Sequence, residues 1–149
     1  MRREGTTRQA RNEREFALFV AGASGRLLHV ATLLTAEPPA ANPHARRLLL
    51  RALARTYATW GRVPGEDPYD RTRQDVALRF GHTAWRQRGC AGGLLAAVPP
   101  RERVVLVLRL AEGLPEEQTA AVLGLPVERV RVLCARAVHR LVGTSGPVA

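Results

Sequence analysis

Two residue types are absent from this 149-residue chain, which contains neither lysine nor isoleucine. All 23 basic residues are therefore arginine, against 13 acidic residues, and the formal net charge is +10. Lysine and isoleucine codons are rich in A and T, so a GC-rich genome explains both absences. The use of arginine alone is then no evidence that each of these residues was selected for bidentate hydrogen bonding. The charge still favours nucleic acid or another anionic surface as a partner.

Cysteine is scarce as well. Cys90 and Cys134 form no CxxC pair, and the four histidines are scattered along the chain. This pattern predicts neither a metal site nor a disulfide framework. There is no glycine-rich phosphate loop and no histidine with a carboxylate at a useful spacing. We therefore expect no catalytic residues, no cofactor and no small-molecule substrate, and we predict that the protein is not an enzyme.

Features of membrane and exported proteins are also missing from the sequence. We see no apolar run of roughly 18 residues, the length that spans a bilayer. The first residues are polar and include Glu4, Glu13 and Glu15, unlike a signal peptide. The chain is therefore predicted to be cytoplasmic, with no membrane partner.

The pattern that is present is helical. Apolar residues recur at steps of three and four, and no strand-like alternation occurs, so we predict an all-α fold. Proline-rich stretches, "AEPPAANP" (36–43) and "GRVPGEDP" (61–68), separate the first three helices. Residues 1–12 are predicted to be a loose basic arm. Helices are predicted at residues 13–35, 44–60, 70–87, 101–111, 116–123 and 127–142.

Three glycines in "GCAGG" (89–93) resist regular structure and predict a linker. We therefore expect two small helical domains, residues 13–88 and 94–142, joined by this short glycine-rich linker.

The C-terminal domain carries the parts of a helix-turn-helix: a short helix, a turn at Gly124 and a longer second helix. The alternative is a small three-helix unit with a solvated basic face. On a helical wheel the outward side of the second helix has Val132 in its middle and Leu133 on its flank, with Arg131 and Arg140 at the two edges. The predicted buried arc is Val127, Val130, Cys134, Ala137, Val138 and Leu141, and the outward arc is Glu128, Arg129, Val132, Ala135, Arg136 and His139.

The order of these motifs resembles a known family. "VPPRERVVLVLRLAEGLPEEQTAAVLGLPVERVRVLCARAVHRL" (98–141) resembles the C-terminal promoter-binding domain of bacterial extracytoplasmic-function sigma factors. "LLT" (33–35), "ALARTYATW" (52–60) and "DPYDR…WRQR" (67–88) are similar to the polymerase-binding and −10-element domain of actinobacterial members. The resemblance implies that the N-terminal domain docks on the RNA polymerase core and that the C-terminal helix binds double-stranded promoter DNA. An anti-sigma or other regulatory protein is a further partner of such a chain.

The resemblance also implies three sets of site residues. For DNA binding by the last helix they are Arg129, Arg131, Val132, Leu133, Arg136 and Arg140. For promoter contact by the N-terminal domain they are Arg79, Trp85, Arg86 and Arg88. For polymerase binding they are Arg46, Arg47, Leu48, Leu49 and Leu50.

The chain departs from the family pattern in three places. An acidic "EDLVQ"-type segment, which contacts a basic polymerase surface, is replaced by "RRLLL" (46–50), and like charge in an interface is costly. The six residues from Arg88 to Leu94 extend at most about 20 Å, while one turn of DNA is about 34 Å. The recognition helix reads "RVLCARA" (131–137), and Val132 and Leu133 cannot hydrogen-bond base edges.

Two other functions remain open at this stage. A degenerate sigma-like chain could be a protein-interaction module that uses exposed apolar residues, with 48–50 and 132–133 as candidates. A stand-alone helix-turn-helix repressor or activator is the third possibility, and such proteins usually bind half-sites as dimers.

Overall fold

The computed structural model describes residues 2–62, 64–83 and 92–146. Within these ranges the regular structure is entirely helical, which confirms the all-α prediction. The elements are α1 (Arg2–Thr35), α2 (Pro43–Ala58), α3 (Pro68–Thr83), α4 (Pro100–Leu106) with a π-helical continuation (Val107–Ala111), α5 (Glu116–Leu123) and α6 (Val127–Thr144).

The first helix is longer than predicted. The arm expected to be loose is helical from Arg2 onwards, so that prediction was wrong. Helix propagation is easier than initiation, and this segment contains no proline to stop a helix that is anchored further along. The hydroxyls of Thr6 and Thr7 donate to the carbonyls of Arg2 and Arg3 at 3.0 and 2.9 Å, which is compatible with helix.

α1 also contains an 18-residue window with a mean hydropathy of 1.5, long and apolar enough to cross a membrane by those two criteria. The sequence prediction that no such run exists was therefore wrong. Hydropathy alone is weak grounds for a membrane span, because a core helix passes the same test. Leu27, Val30 and Leu34 in this helix are in fact buried against the rest of the protein.

A buried carboxylate organises the loop between α1 and α2. Glu37 accepts hydrogen bonds from the amides of His44 and Ala45 at 3.1 and 2.8 Å, in the first turn of α2. Those amides have no partner within the helix, and a negative charge at a helix N-terminus is favourable. These hydrogen bonds therefore hold the loop that the prolines predicted in one conformation at the start of α2.

The π-helical segment follows α4 without a break. The amide of Glu112 donates to the carbonyl of Val107 at 3.0 Å, a step of five residues where an α-helix has four. Leu108 in this segment is fully buried and Leu110 is exposed. The segment joins the first helix of the C-terminal part to the turn before α5.

One buried cluster contains side chains from both the N-terminal helices α1–α3 and the C-terminal helices. Leu34 of α1 and Phe80 of α3 belong to the same cluster as Val104, Leu108 and Ala137 from the C-terminal part. α1 contacts α4 and the π-helical segment, and α3 contacts α4 and α5. The proposed division at residues 89–93 stays a prediction, since most of that segment, with Cys90, lies outside the described residues.

Two close contacts fix this junction. The amide of Gly93 donates to the carbonyl of Ala36 at 2.8 Å, and a Cβ on Gly93 would lie 2.3 Å from that oxygen. The buried Arg103 guanidinium donates to the carbonyls of Leu34 and Val98, each at 2.8 Å at its shortest. A cation at the C-terminus of α1 satisfies carbonyls that the helix leaves free.

Candidate DNA-binding helix-turn-helix

The helix-turn-helix has the expected bounds, with α5 at Glu116–Leu123 and α6 beginning at Val127. Gly124 ends α5 in the left-handed conformation at φ 65°, which glycine adopts without a steric penalty. The amide of Leu125 donates to the carbonyl of Ala120 at 3.0 Å and closes the turn. Pro126 then precedes α6. The local sequence signals therefore predicted this motif correctly.

The buried side of α6 is rotated from the predicted one. Val130, Leu133 and Ala137 are buried, and Leu133 is only 4% exposed. The prediction that Leu133 contacts DNA is therefore wrong. Val138, which was placed in the buried arc, is 38% exposed. The reason is that α6 packs on α4 and α5 along a stripe at steps of three and four that includes position 133, so Leu133 joins Val105 and Ala120 in a small core.

The outward side of α6 presents a row of three exposed residues, Arg129, Val132 and Arg136. They are spaced at three and four residues and so share one face of the helix. Val132 is 42% exposed and lies in the middle of this row. We call these three residues the outward row.

The two arginines at the edges of α6 are held by carboxylates of the same chain. Arg131 Nε lies 2.7 Å from Glu116 Oε2, and Arg140 Nε lies 2.8 Å from Glu102 Oε2. The hydrogen bond that Arg131 donates to Glu116 raises the pKa of Arg131 above its ordinary value. Both guanidinium charges are therefore partly balanced by a carboxylate. Among the described residues, Arg129 and Arg136 of the outward row form no such ion pair.

The predicted polymerase-binding segment divides between surface and core. Arg46, Arg47 and Leu50 are exposed on α2, whereas Leu48 and Leu49 are buried. The prediction that Leu48 and Leu49 contact polymerase is wrong, because both side chains are buried in hydrophobic clusters of the protein. The surviving candidate surface is two arginines and one leucine.

Of the predicted promoter-contacting residues in the N-terminal part, Arg79 lies within the described residues. Arg79 on α3 is half-buried, and its Nε lies 2.8 Å from Asp75 Oδ2. Asp75 also lies 3.8 Å from Arg55 of α2. Trp85, Arg86 and Arg88 lie outside the described residues.

The structure places together four residues that the sequence did not single out. The Glu112 side chain, 3% exposed, lies at the start of the turn between the π-helical segment and α5. Tyr69 Oη donates to Glu112 Oε1 at 2.5 Å, Arg73 Nη1 lies 3.3 Å from the same oxygen, and Arg26 Nε lies 3.3 Å from Oε2. We call Glu112, Tyr69, Arg73 and Arg26 the Glu112 cluster.

Aromatic and electrostatic contacts complete this cluster. The Arg26 guanidinium lies over the Tyr69 ring, 4.7 Å from its centroid. Burial, followed by the hydrogen bond to Glu112, raises the pKa of the Tyr69 hydroxyl well above its ordinary value. Tyr69 and Arg73 are one helical turn apart on α3, but Arg26 and Glu112 are far from them in the sequence, so no local signal could have brought the four together.

A cavity of about 340 Å³ separates α3 from the helix-turn-helix. Leu78 and His82 of α3 line one side, and Arg101 of α4 with Leu125 and Arg129 lines the other. The N-terminal turn of α6 therefore faces the last turns of α3 across this cavity.

Two connected helices with a tight glycine turn and a cationic outward face define a protein of the helix-turn-helix class. The family model described as "Sigma-70, region 4" matches residues 94–141, the segment that contains this motif. This match and the two relatives described next agree with the resemblance to extracytoplasmic-function sigma factors found in the sequence, which is thereby confirmed.

Two relatives extend the similarity. RNA polymerase sigma-E factor of Streptomyces coelicolor is 28% identical over 152 residues, covering 85% of this chain and 84% of that protein. ECF RNA polymerase sigma factor ShbA of Streptomyces griseus is 40% identical over 68 residues, covering 46% of this chain and 33% of ShbA, so that match spans about a third of the relative. Sigma factors are a non-enzymatic family of transcription proteins. No solved structure matches the chain.

Proposed function

We propose that the protein acts in bacterial transcription initiation by binding promoter DNA through α6 and docking on the RNA polymerase core. The observation that carries this proposal is the outward row on the second helix of a segment that matches sigma-70 region 4. An α-helix fits the major groove of B-DNA, and the recognition helix of a helix-turn-helix occupies it.

Within the outward row, the two arginines and the valine have different roles. Arg129 and Arg136 bind phosphates or base edges, and contacts to phosphate position the protein without reading sequence. Val132 has no hydrogen-bonding group, and its one specific partner in the groove is a thymine methyl. We therefore expect affinity for DNA with limited choice of sequence.

Arg131 and Arg140 contribute less to this interface. Each guanidinium is already paired with a carboxylate of the chain, at 2.7 and 2.8 Å. Binding a phosphate then requires exchange of one charged partner for another, so the net gain is small. The outward row is the first choice for mutation.

Polymerase docking is assigned to the exposed part of the "RRLLL" segment. Arg46 and Arg47 present positive charge, and Leu50, 66% exposed, presents apolar surface beside them. A surface of this kind favours an acidic partner site, because placing charges of the same sign next to each other across an interface costs at least about 2 kcal/mol of binding free energy. The docking partner on polymerase is therefore expected to be acidic.

The DNA-binding part of the proposal is tested by fluorescence anisotropy with a labelled duplex. Arg136→Ala should weaken binding at all sequences by a similar factor and reduce the salt dependence by about one phosphate contact. Arg51→Ala, which removes an exposed arginine from α2, is the matched control for loss of net charge. Unchanged affinity of Arg136→Ala at low salt would remove this residue from the interface.

The transcription part is tested by run-off transcription with core polymerase. Addition of the protein should give a transcript from promoters selected by chromatin mapping. No transcript from any promoter, under conditions in which a relative is active, would rule out sigma activity.

A second candidate function is a protein-interaction module that binds another transcription protein without promoter choice. The observation in its favour is the exposed leucine and valine, Leu50 and Val132, at positions where the family pattern has polar groups. A pull-down that recovers a regulator but no polymerase would favour it. DNA binding that is steep in salt and indifferent to sequence would show that the DNA contacts are to phosphate only.

Both functions place the protein in the cytoplasm, where polymerase and chromosomal DNA are found. An anti-sigma protein is the regulatory partner that the family similarity suggests, and pull-down under inducing and non-inducing conditions is the test.

A further inference from the structure

The cavity between α3 and the helix-turn-helix has no role in the proposed function. Its volume is about 340 Å³, which lies at the lower end of the roughly 300–1,000 Å³ typical of small-molecule sites. The described residues around it come from α3 on one side and from α4, α5 and α6 on the other. The cavity therefore has the size of a site for a small ligand held between the two parts of the chain.

The wall of the cavity is mostly apolar. Phe80, Val104 and Leu133 line it with side chains that are themselves buried, and Leu78 lines it with a side chain that is 36% exposed. Apolar side chains beside a cavity gain dispersion contacts from an apolar occupant. A polar occupant would instead give up hydrogen bonds to water without replacing them. The wall therefore favours a ligand with an aliphatic body.

Three exposed side chains that can donate hydrogen bonds, His82, Arg101 and Arg129, also line the cavity. In the ranges that the structure describes, neither of these arginines forms an ion pair with a carboxylate, whereas Arg131 and Arg140 each do. A guanidinium binds a carboxylate or a phosphate through two parallel hydrogen bonds. Cationic donors at the exposed side of an apolar cavity favour a ligand with an anionic head group.

We propose that this cavity binds a small aliphatic amphiphile with a single oxyanion, such as a medium-chain carboxylate. The chain packs between α3 and the helix-turn-helix, against Phe80 and Leu133, and the oxyanion pairs with Arg101 and Arg129. A phosphate monoester of a medium-chain alcohol shares this chemistry, so the two head groups are compared in the experiment below. The apolar wall and the two arginines together set this ligand class, since neither an alcohol nor a small inorganic anion satisfies both.

The ligand regulates DNA binding, and this part of the inference rests on the DNA-binding function proposed above. Arg129 belongs both to the cavity lining and to the outward row. An oxyanion paired with Arg129 offsets positive charge that otherwise attracts a DNA phosphate. Because such coupling is reciprocal, the ligand lowers the affinity for DNA and DNA lowers the affinity for the ligand. The cavity is therefore a negative regulatory site.

Ligand binding is tested on the full chain without DNA, by titration with octanoate followed by amide nitrogen–proton correlation NMR. Saturable shifts are expected for amides of α3, α5 and α6 beside the cavity, and not for amides in the first turns of α1. Octanoate should bind at least about threefold more tightly than octanol, which has the same chain without a charge. Acetate at the same concentration, which has the charge without the chain, should give no saturable shift. Octyl phosphate in place of octanoate shows which head group is preferred.

The apolar wall is tested with Gly81→Leu. Gly81 lines the cavity within α3, and a Cβ there meets no atom within 4 Å, so the new side chain enters open space. This change should weaken binding of both octanoate and octanol by about tenfold or more, because it occupies part of the cavity. Gly25→Leu in α1 is the matched control, since a Cβ there also meets no atom within 4 Å and Gly25 does not line the cavity. Its affinity for both probes should equal that of wild type.

The head-group contact is tested with Arg101→Ala. This change should weaken octanoate binding by about threefold or more and leave octanol binding unchanged. Arg51→Ala on α2 is the control for loss of net charge. Equal affinities of wild type and Arg101→Ala for octanoate would overturn the assigned contact. Octanoate that binds no more tightly than octanol, or equal binding by wild type and Gly81→Leu, would overturn the site.

Regulation is tested by fluorescence anisotropy with the labelled duplex. Saturating octanoate should raise the Kd for DNA by about threefold or more relative to the same concentration of acetate, which keeps the ionic strength equal. Unchanged DNA affinity in octanoate would overturn the regulatory role. Failure to bind any duplex would overturn that role together with the proposed function, while the ligand site would stand on the titration without DNA.

Discussion

The helix-turn-helix and the N-terminal helices differ in what holds them together. α5 and α6 are joined by a turn whose signals lie within a few residues, at Gly124 and Pro126. The N-terminal helices are instead positioned by distant partners, as when Arg103 bonds to the end of α1 and Glu112 bonds to Tyr69. A recognisable helix-turn-helix motif and its orientation in the molecule are therefore specified by different kinds of contact.

Of the substitutions that test this difference, Val130→Asp is expected to lower the stability of the protein most. Val130 is fully buried in the core that joins α6 to α4 and α5, and an unpaired charge at such a site costs at least about 3 kcal/mol of unfolding free energy. Thermal unfolding followed by circular dichroism should show the loss. Val132→Asp, on the exposed outward row, is the control and should change stability by no more than about 0.5 kcal/mol. A native-like melting curve for Val130→Asp would contradict the helix register.

A smaller effect is expected from Gly93→Ala at the junction of the two parts. The added Cβ would lie 2.3 Å from the Ala36 carbonyl oxygen, so the backbone must shift, at a cost of about 1–3 kcal/mol. Gly25→Ala in α1 is the control, because its Cβ meets no atom within 4 Å. That change should stabilise the protein by up to about 1 kcal/mol. Equal urea midpoints for the two variants would show that the approach of Gly93 to Ala36 is not required.

The smallest expected effect is a change in stability at high pH, and it concerns the Glu112 cluster. The pKa of Tyr69 is raised in the folded protein, so its proton is bound more tightly there than in the unfolded chain. The resulting stability is fully present below the ordinary tyrosine pKa of about 10 and is lost as pH rises above it. Tyr69→Phe should therefore lose less stability than wild type between pH 9 and pH 11. Urea unfolding at both pH values measures this, and parallel losses in the two proteins would contradict the assigned contact.

Local patterns predicted the helices and the turn of the recognition motif, because apolar spacing and a left-handed glycine act over one or two turns. They did not predict which side of α6 is buried. A helical wheel allows the apolar arc to be centred on either Cys134 or Leu133, and only packing against Val105 and Ala120 selects Leu133. The same limit explains Leu48 and Leu49, whose burial depends on helices far away in the sequence. The Glu112 cluster brings together residues up to 86 positions apart, beyond the reach of any periodicity.

The π-helical segment before Glu112 has an evolutionary consequence. Each residue advances an α-helix by about 100°, so one extra residue in a turn rotates everything after it by that angle. The hydrogen bond from Glu112 to Val107 spans that extra residue, and without it the carboxylate would point away from Tyr69 and Arg73. A one-codon insertion or deletion here would rotate Glu112 and the helices that follow it relative to α4, without changing any residue of those helices.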